Sequence, residues 1–163
     1  MIRKEINSKN VNFIGCWKVN NEKLFSDMIE FFENNIHLQN KGVIGSGLNN
    51  VKKKTTDITI DPKDLKKEKF FIFKEYFDQL YRCFNDYKSQ WPFLQGTIKT
   101  LDIPSFNLQK YNPGDHFSHV HTERSSTLES HRVFAWMTYL NDIKSKNGNT
   151  HFSHYDVKIQ PER

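Results

Sequence analysis

The sequence predicts an α+β fold in which two helices in the first half of the chain brace a β-rich second half. Two observations indicate this order. Apolar residues repeat at helical spacing in two stretches before residue 95, and short β-branched and aromatic runs follow one another after it. We therefore predict one domain over residues 1–163, with a helical support region at 1–95 and the β core at 96–163.

The helical half begins with a strand pattern. Residues 11–19 are rich in β-branched and aromatic side chains and predict an early strand. Asn20 and Asn21 are candidate N-caps of a helix over residues 22–35, because apolar side chains recur there at helical spacing. Residues 39–61 are rich in Gly, Asn and Lys, and we predict a long ordered loop with a candidate site region at 53–57.

A second helix is predicted over residues 62–88, where a broad stripe of Phe, Tyr and Leu side chains indicates core packing. Asp61 and Pro62 form a suitable N-cap and first helical position for it. The remaining chain predicts five strands, at residues 97–101, 106–111, 117–123, 132–140 and 150–159.

Two of these strands differ in what their faces carry. Asn107, Gln109 and Tyr111 share one face of the strand at 106–111, which predicts a polar cavity wall, with a solvent-facing edge strand as the alternative. Residues 132–140 are apolar on both faces, so we predict a central strand that is covered on both sides.

The segment from Tyr111 to Arg124 carries the residues best suited to bind a metal ion. His121 and Glu123 are two residues apart, and such positions project from the same face of a strand. An imidazole nitrogen beside a carboxylate, completed by a second histidine, is the ligand set of non-haem Fe(II) sites. We predict that His121 and Glu123 bind a metal ion.

His119 and the later histidines leave alternatives open. A His119-x-His121 pair resembles the cupin arrangement, although cupins place their glutamate several residues further along than Glu123. Same-face neighbours in a strand lie about 6.6 Å apart, so one ion does not comfortably take all three side chains. We assign His119 to the rim of the site or behind the ligands, and His154 is a weaker candidate for the third ligand.

Three motifs in order resemble the prolyl 4-hydroxylase-like branch of the 2-oxoglutarate/Fe(II)-dependent oxygenases. They run here as Tyr111, Pro113-Gly114, Phe117 and His121-Thr122-Glu123; then Arg132 to Tyr139-Leu140-Asn141; then Gly148, Thr150 and Phe152. The series covers residues 106–155, about a third of the chain. The chain departs from the family pattern in that Glu123 replaces the commoner aspartate and Asn147 replaces a glycine.

The resemblance implies a double-stranded β-helix (jelly-roll) core that is incomplete at the C-terminus and braced by the two N-terminal helices. It implies Fe(II) as the metal, 2-oxoglutarate and O2 as co-substrates, ascorbate as an accessory reductant, and hydroxylation of a protein or small-molecule substrate, with a peptidyl prolyl residue as the family's example. Tyr111 resembles the tyrosine that binds the C5 carboxylate of 2-oxoglutarate, and Tyr139 and Thr150 match positions that line that pocket.

The family's distal histidine and its carboxylate-binding basic residue are expected beyond Arg163. Residues 1–163 alone are therefore expected to bind Fe(II) poorly and to show no turnover. The alternative function is that of a non-catalytic β-sandwich binding module. The net charge of +5 suggests this alternative, because a basic surface can bind an acidic partner. Acidic residues are interspersed among the lysines, however, and this disfavours nucleic acid as a partner.

Composition also indicates the cellular compartment of the protein. No apolar run approaches the length that spans a bilayer, and the first ten residues lack the apolar segment of a secretory signal. Cys16 and Cys83 make no disulfide framework, which is typical of a reducing compartment. We predict a cytoplasmic protein without a membrane partner.

Overall fold

The computed structural model describes residues 1–8, 12–145 and 147–163 as a mixed α+β chain with several small antiparallel sheets. No barrel is closed among these residues. The elements in chain order are β1 (Ile2–Arg3), β2 (Trp17–Lys18), α1 (Glu22–Asn34), β3 (Asn40–Lys41), β4 (Lys53–Lys54), β5 (Thr56–Ile60), α2 (Ile72–Gln90), α3 (Phe93–Thr97), β6 (Phe106–Lys110), β7 (His116–Phe117), β8 (Thr150–Phe152) and β9 (Val157–Ile159).

The first predicted helix is confirmed as α1. The Asn21 side chain accepts a hydrogen bond from the backbone N–H of Leu24 and so satisfies one of the free donors at the helix start. The apolar stripe that the spacing predicts is buried, at Leu24, Phe25, Met28 and Phe32. α1 therefore contributes one complete face to the core.

The second predicted helix begins later than its sequence signal. Pro62–Lys66 and Glu68–Phe70 are short 3-10 helices, and α2 starts only at Ile72. Lys67 has an extended backbone (φ −88°, ψ 137°) and interrupts the run. The Asp61-Pro62 start signal therefore begins a 3-10 turn, in which the Asp64 carboxylate accepts from the Asp61 backbone N–H.

The prediction of a long loop at residues 39–61 is wrong, because this segment contains the three strands β3, β4 and β5. β5 is the central strand of a three-stranded sheet in the order β3–β5–β6, and both pairings are antiparallel. Ile58 and Ile60 point into the core and are fully buried, while Asp57 and Thr59 face the other way. The surrounding Gly, Asn and Lys residues hide this short alternating strand in the sequence.

The core lies between this sheet and the two long helices. Ile58 pairs with Leu108, and Ile60 pairs with Phe106, so the apolar residues of both strands share one face. Phe73 of α2 is completely buried, and its ring lies 5.6 Å from that of Phe106. Since β5 belongs to the first 95 residues and β6 to the rest, the sheet joins the two predicted regions.

Several predicted strands are absent or shortened. The strand predicted at residues 97–101 is wrong, because α3 ends at Thr97 and the chain that follows it is irregular. The strand predicted at 117–123 is reduced to β7, and the one at 150–159 is the β8–β9 hairpin, whose turn holds Asp156 at φ 50°. The early strand is reduced to β2, and its predicted start at Val11 lies outside the described residues.

Residues 132–140 form no strand, so the predicted central strand is wrong. Phe134, Trp136 and Leu140 are half-buried, and the Phe134 ring packs against rings of α2, whereas Val133 and Met137 are exposed. Alternation persists, but no backbone ladder joins this segment to another described strand. Among the described helices, none is long and apolar enough to cross a membrane.

Candidate functional site

The site region begins with a turn that fixes the chain between β6 and β7. The Asp115 carboxylate accepts hydrogen bonds from the backbone N–H of Asn112 at 2.9 Å and from the ammonium of Lys54 at 2.9 Å. These contacts, led by the Lys54 hydrogen bond, lower the pKa of Asp115 to about 2. Gly114 has φ +85°, a conformation that favours glycine. The turn directs β7 back along β4.

β7 places an aromatic ring beneath the predicted metal ligand. Phe117 pairs with Lys53 across the β4–β7 ladder, and the Ser118 N–H donates to the Lys52 carbonyl at 3.0 Å. The Phe117 ring stacks on the imidazole of His121 with ring centres 4.4 Å apart. The position of His121 is therefore set by a ring stack rather than by membership of a strand.

His121 and Glu123 are brought together, although not by the predicted strand geometry. Their Nε2 and Oε1 atoms lie 3.6 Å apart, and residues 118–123 are irregular. The Nδ1 atom of His121 lies 2.7 Å from the carbonyl oxygen of His119. The other carboxylate oxygen of Glu123 lies 3.6 Å from the guanidinium of Arg132. All of these side chains are partly open to solvent.

This pair fits two positions of a metal site. A carbonyl oxygen only accepts hydrogen bonds, so Nδ1 of His121 carries a proton, and Nε2 is the ring nitrogen that faces Glu123. Metal-binding histidines are commonly oriented by such a bond at the other ring nitrogen. First-row divalent ions hold these donors at about 2.0–2.2 Å, and two donors 3.6 Å apart are compatible with one shared ion.

A third ligand is not assembled. In residues 1–8, 12–145 and 147–163, no group of three His, Cys, Asp or Glu side chains is arranged to hold a metal ion. His119 contacts His121 through its backbone carbonyl, and His151 lies beside Asp156 with Nε2 and Oδ1 3.5 Å apart. The cupin-like trio and a trio with His154 are therefore not formed in the described chain.

The polar strand face predicted for Asn107, Gln109 and Tyr111 is present. Asp57 lies opposite Gln109, and Thr59 lies opposite Asn107, whose amide oxygen is 2.8 Å from the Thr59 hydroxyl. We refer to these five residues as the polar face of the β5–β6 pair. The predicted cavity wall is wrong, because Asn107, Gln109 and Tyr111 are exposed and β6 lies at the edge of its sheet; the structure shows the alternative, a solvent-facing edge strand.

The residues predicted to bind 2-oxoglutarate lie near one another at the end of this face. Desolvation of the hydroxyl, followed by the charges of Asp57 and Tyr139, raises the pKa of Tyr111 to about 12. Tyr111 as a whole residue is 46% exposed, so its side chain is only partly removed from water. The Tyr139 hydroxyl lies 2.5 Å from the Thr150 hydroxyl. At neutral pH, both tyrosines are uncharged hydrogen-bonding groups.

A buried ion pair joins the polar face to β4, and sequence reasoning missed it. The Lys53 ammonium lies 2.7 Å from the Asp57 carboxylate, and both side chains are almost fully buried. Gly42 passes so close that a Cβ there would lie 1.9 Å from the Thr55 hydroxyl. The available signal was the alternation of Thr55, Asp57 and Thr59, which mirrors that of the 106–111 strand.

Comparison with known proteins adds no relative to this geometry. No family model matches the chain, and no curated protein and no solved structure matches it either. The site must therefore be interpreted from its own residues.

Proposed function

We propose that this chain is a 2-oxoglutarate- and Fe(II)-dependent dioxygenase domain whose metal ligands include His121 and Glu123. The proposed reaction hydroxylates a substrate that is a protein or a small molecule, and a peptidyl prolyl residue is the example that the family resemblance supplies. The proposed core is a double-stranded β-helix. We place the reaction in the cytoplasm, because Cys16 and Cys83 are both free thiols.

One observation carries the proposal. His121 turns its Nε2 toward a carboxylate oxygen 3.6 Å away, and a backbone carbonyl holds its other ring nitrogen. An ordinary surface ion pair does not need the second contact, whereas a metal ligand benefits from it because the ring cannot turn away. The stacked Phe117 ring restricts the imidazole further.

The co-substrate pocket is proposed beside the polar face. Tyr111 offers a neutral hydroxyl, and Tyr139 and Thr150 form a second hydroxyl pair. Fe(II) bound with 2-oxoglutarate supplies the activation of O2 that is coupled to decarboxylation of the co-substrate to succinate. The chain's own tasks are to bind the carboxylate, orient it and hold the two ligand side chains in place.

The metal assignment is tested with Mn(II), which takes nitrogen and oxygen ligands and broadens nearby NMR signals even when it binds weakly. We expect amide signals around residues 117–124 and 132 to broaden first. His121→Ala and Glu123→Ala should each weaken Mn(II) binding by about tenfold or more, because even residues that only orient ligands have effects of that size.

His119→Ala is the matched control, since the bond to His121 uses the backbone carbonyl, which alanine keeps. It should retain Mn(II) binding. Uniform broadening over the surface, or unchanged binding in Glu123→Ala, would remove the metal assignment and leave the His121–Glu123 contact as a surface ion pair.

The co-substrate assignment is tested with Tyr111→Phe, which keeps the ring and removes the hydroxyl. A hydrogen bond to a charged group contributes about 1.5–3 kcal/mol, so the affinity for 2-oxoglutarate should fall by about tenfold to a hundredfold. Isothermal titration of the metal-loaded chain measures this. An unchanged affinity would mean that Tyr111 does not contact the carboxylate.

A further inference from the structure

The Lys53 side chain is held more tightly than an ordinary surface lysine. It is 4% exposed, and its ammonium lies 2.7 Å from the Asp57 carboxylate and 3.4 Å from the Val43 carbonyl oxygen. These contacts use two of the three ammonium donors. The backbone at Gly42 passes so close that a Cβ there would lie 2.9 Å from the ε-carbon of the lysine. Lys53 therefore presents a cation at a fixed position beside the β4–β7 pair.

This cation lies over the ring of Phe117. The two residues face each other across the β4–β7 ladder, and the ammonium is 5.5 Å from the ring centre, within the range of a cation–π interaction. Such interactions are stronger where the cation is desolvated, as Lys53 is. Phe117 is 36% exposed, so enclosure in the core does not fix its rotamer. The contact with Lys53 is therefore one of the contacts that set the direction of the ring.

The same ring supports the imidazole of His121. The two ring centres are 4.4 Å apart and the ring planes differ by 20°, which is a stacked arrangement. Residues 118–123 are irregular, and no described ladder fixes the backbone of His121. A change in the direction of the Phe117 ring would therefore change the direction of the imidazole.

We propose that Lys53, fixed by Asp57, is a positioning residue for the candidate metal ligand His121, and that it acts through the Phe117 ring. The metal part of this inference rests on the proposed function. The orientation of the rings does not depend on a metal ion, so the two parts are tested separately.

The orientation of the imidazole is tested by NMR in the metal-free chain. Protons that lie over an aromatic face resonate upfield, so the ring signals of His121, identified by their loss in His121→Ala, report the stack. Phe117→Leu removes the ring and should move these signals downfield. Spectra are compared at about pH 8.5, where an ordinary imidazole is uncharged, so that protonation does not contribute to the difference.

The role of Lys53 is tested with the double variant Lys53→Met/Asp57→Leu. It removes one positive and one negative charge together, so the net charge of the chain is unchanged, and such apolar replacement of a buried ion pair is often tolerated. The His121 signals should move part of the way toward their positions in Phe117→Leu. Signals that stay in place would overturn the positioning role.

Lys88→Met is the matched control, because it removes an ammonium that lies 4.7 Å from the centre of the Phe84 ring on α2. It should leave the His121 signals unchanged, and an equal shift in this variant would also overturn the role. If the double variant does not fold, the unmodified chain decides the question. Nuclear Overhauser contacts should join the Phe117 ring to the ε-methylene of Lys53 and to the imidazole of His121, and the absence of either contact would overturn the proposal.

The consequence for metal binding is measured with Mn(II) in the same variants. Phe117→Leu should weaken Mn(II) binding by about tenfold, as residues that orient ligands do, and the double variant by about twofold to fivefold. Lys88→Met should keep full affinity. Unchanged affinity in Phe117→Leu, with shifted His121 signals, would overturn the metal part of the inference alone. Absence of Mn(II) binding by the unmodified chain would overturn the proposed function, whereas the metal-free spectra decide the ring orientation in either case.

Discussion

The β5–β6 pair and residues 132–140 both place successive side chains on opposite faces, but only the first forms a sheet. In β5, Ile58 and Ile60 are fully buried and pair with β6 along five residues. In the second segment, Phe134 packs on α2, while Val133 and Met137 are 57% and 55% exposed and no described strand lies alongside.

This difference shows that side-chain alternation and the formation of a backbone ladder have separate causes. Alternation determines which side chains share a face, and it holds in both regions. A ladder also needs a second chain segment at hydrogen-bonding distance, and that depends on contacts far along the sequence. The buried sheet region therefore provides stability, and the open region after β7 carries the candidate ligands. Four changes test this division.

The largest effect is expected from Phe73→Ala, because Phe73 is fully buried between α1 and the sheet. We expect a loss of about 3–5 kcal/mol in the free energy of unfolding, measured by urea titration. Phe71→Ala is the control. Its side chain is exposed and its ring lies against the Lys74 ammonium, so the loss should stay below about 1 kcal/mol. Similar losses would place the core elsewhere.

Lys53→Met should destabilise the chain by about 3–5 kcal/mol, because it leaves the Asp57 carboxylate buried without its partner. Adding Asp57→Leu should restore most of the loss. Lys23→Met, which breaks the exposed pair with Asp27, should have no measurable effect on chemical unfolding. If the single and double variants were equally unstable, the ion pair would not link β4 to the sheet.

The open region is examined with neighbouring substitutions in residues 132–140. Phe134 contacts the rings of Phe84 and Tyr87, so Phe134→Ala should cost about 1–3 kcal/mol. Val133→Ala should change stability by no more than about 0.5 kcal/mol, because its side chain faces solvent. A reversed order would show that the opposite face of this segment packs on the helix.

The smallest expected effect is a change in stability that appears only at acidic pH. Asp115 has a pKa of about 2 in the folded chain, against an ordinary value of 3.8. Between pH of about 4 and 2 the unfolded chain binds more protons at this residue, so its contribution to stability is present above that range and is lost as the pH falls. Asp115→Asn should flatten the acid dependence of unfolding in this window. An unchanged slope would mean that the turn does not hold Asp115 ionised.

Sequence alone determined those features that depend on nearby residues. The Asn21 cap and the apolar stripe of α1 follow from spacing within a few turns. The two faces of the 106–111 strand follow from its period of two, and the proximity of His121 and Glu123 follows from their separation of two residues. Neither metal binding nor 2-oxoglutarate binding follows from these features, and both remain predictions.

Tertiary structure alone decided which segments pair and which charges are buried. The centre of the main sheet is β5, inside a stretch whose Gly, Asn and Lys content predicts a loop. Lys53, one of three consecutive lysines, is buried because its neighbour in space is Asp57. Residues 132–140 remain unpaired despite a strong strand pattern. The physical reason is that ladder formation and the desolvation of charge depend on partners brought together by folding, and local periodicity carries no information about them.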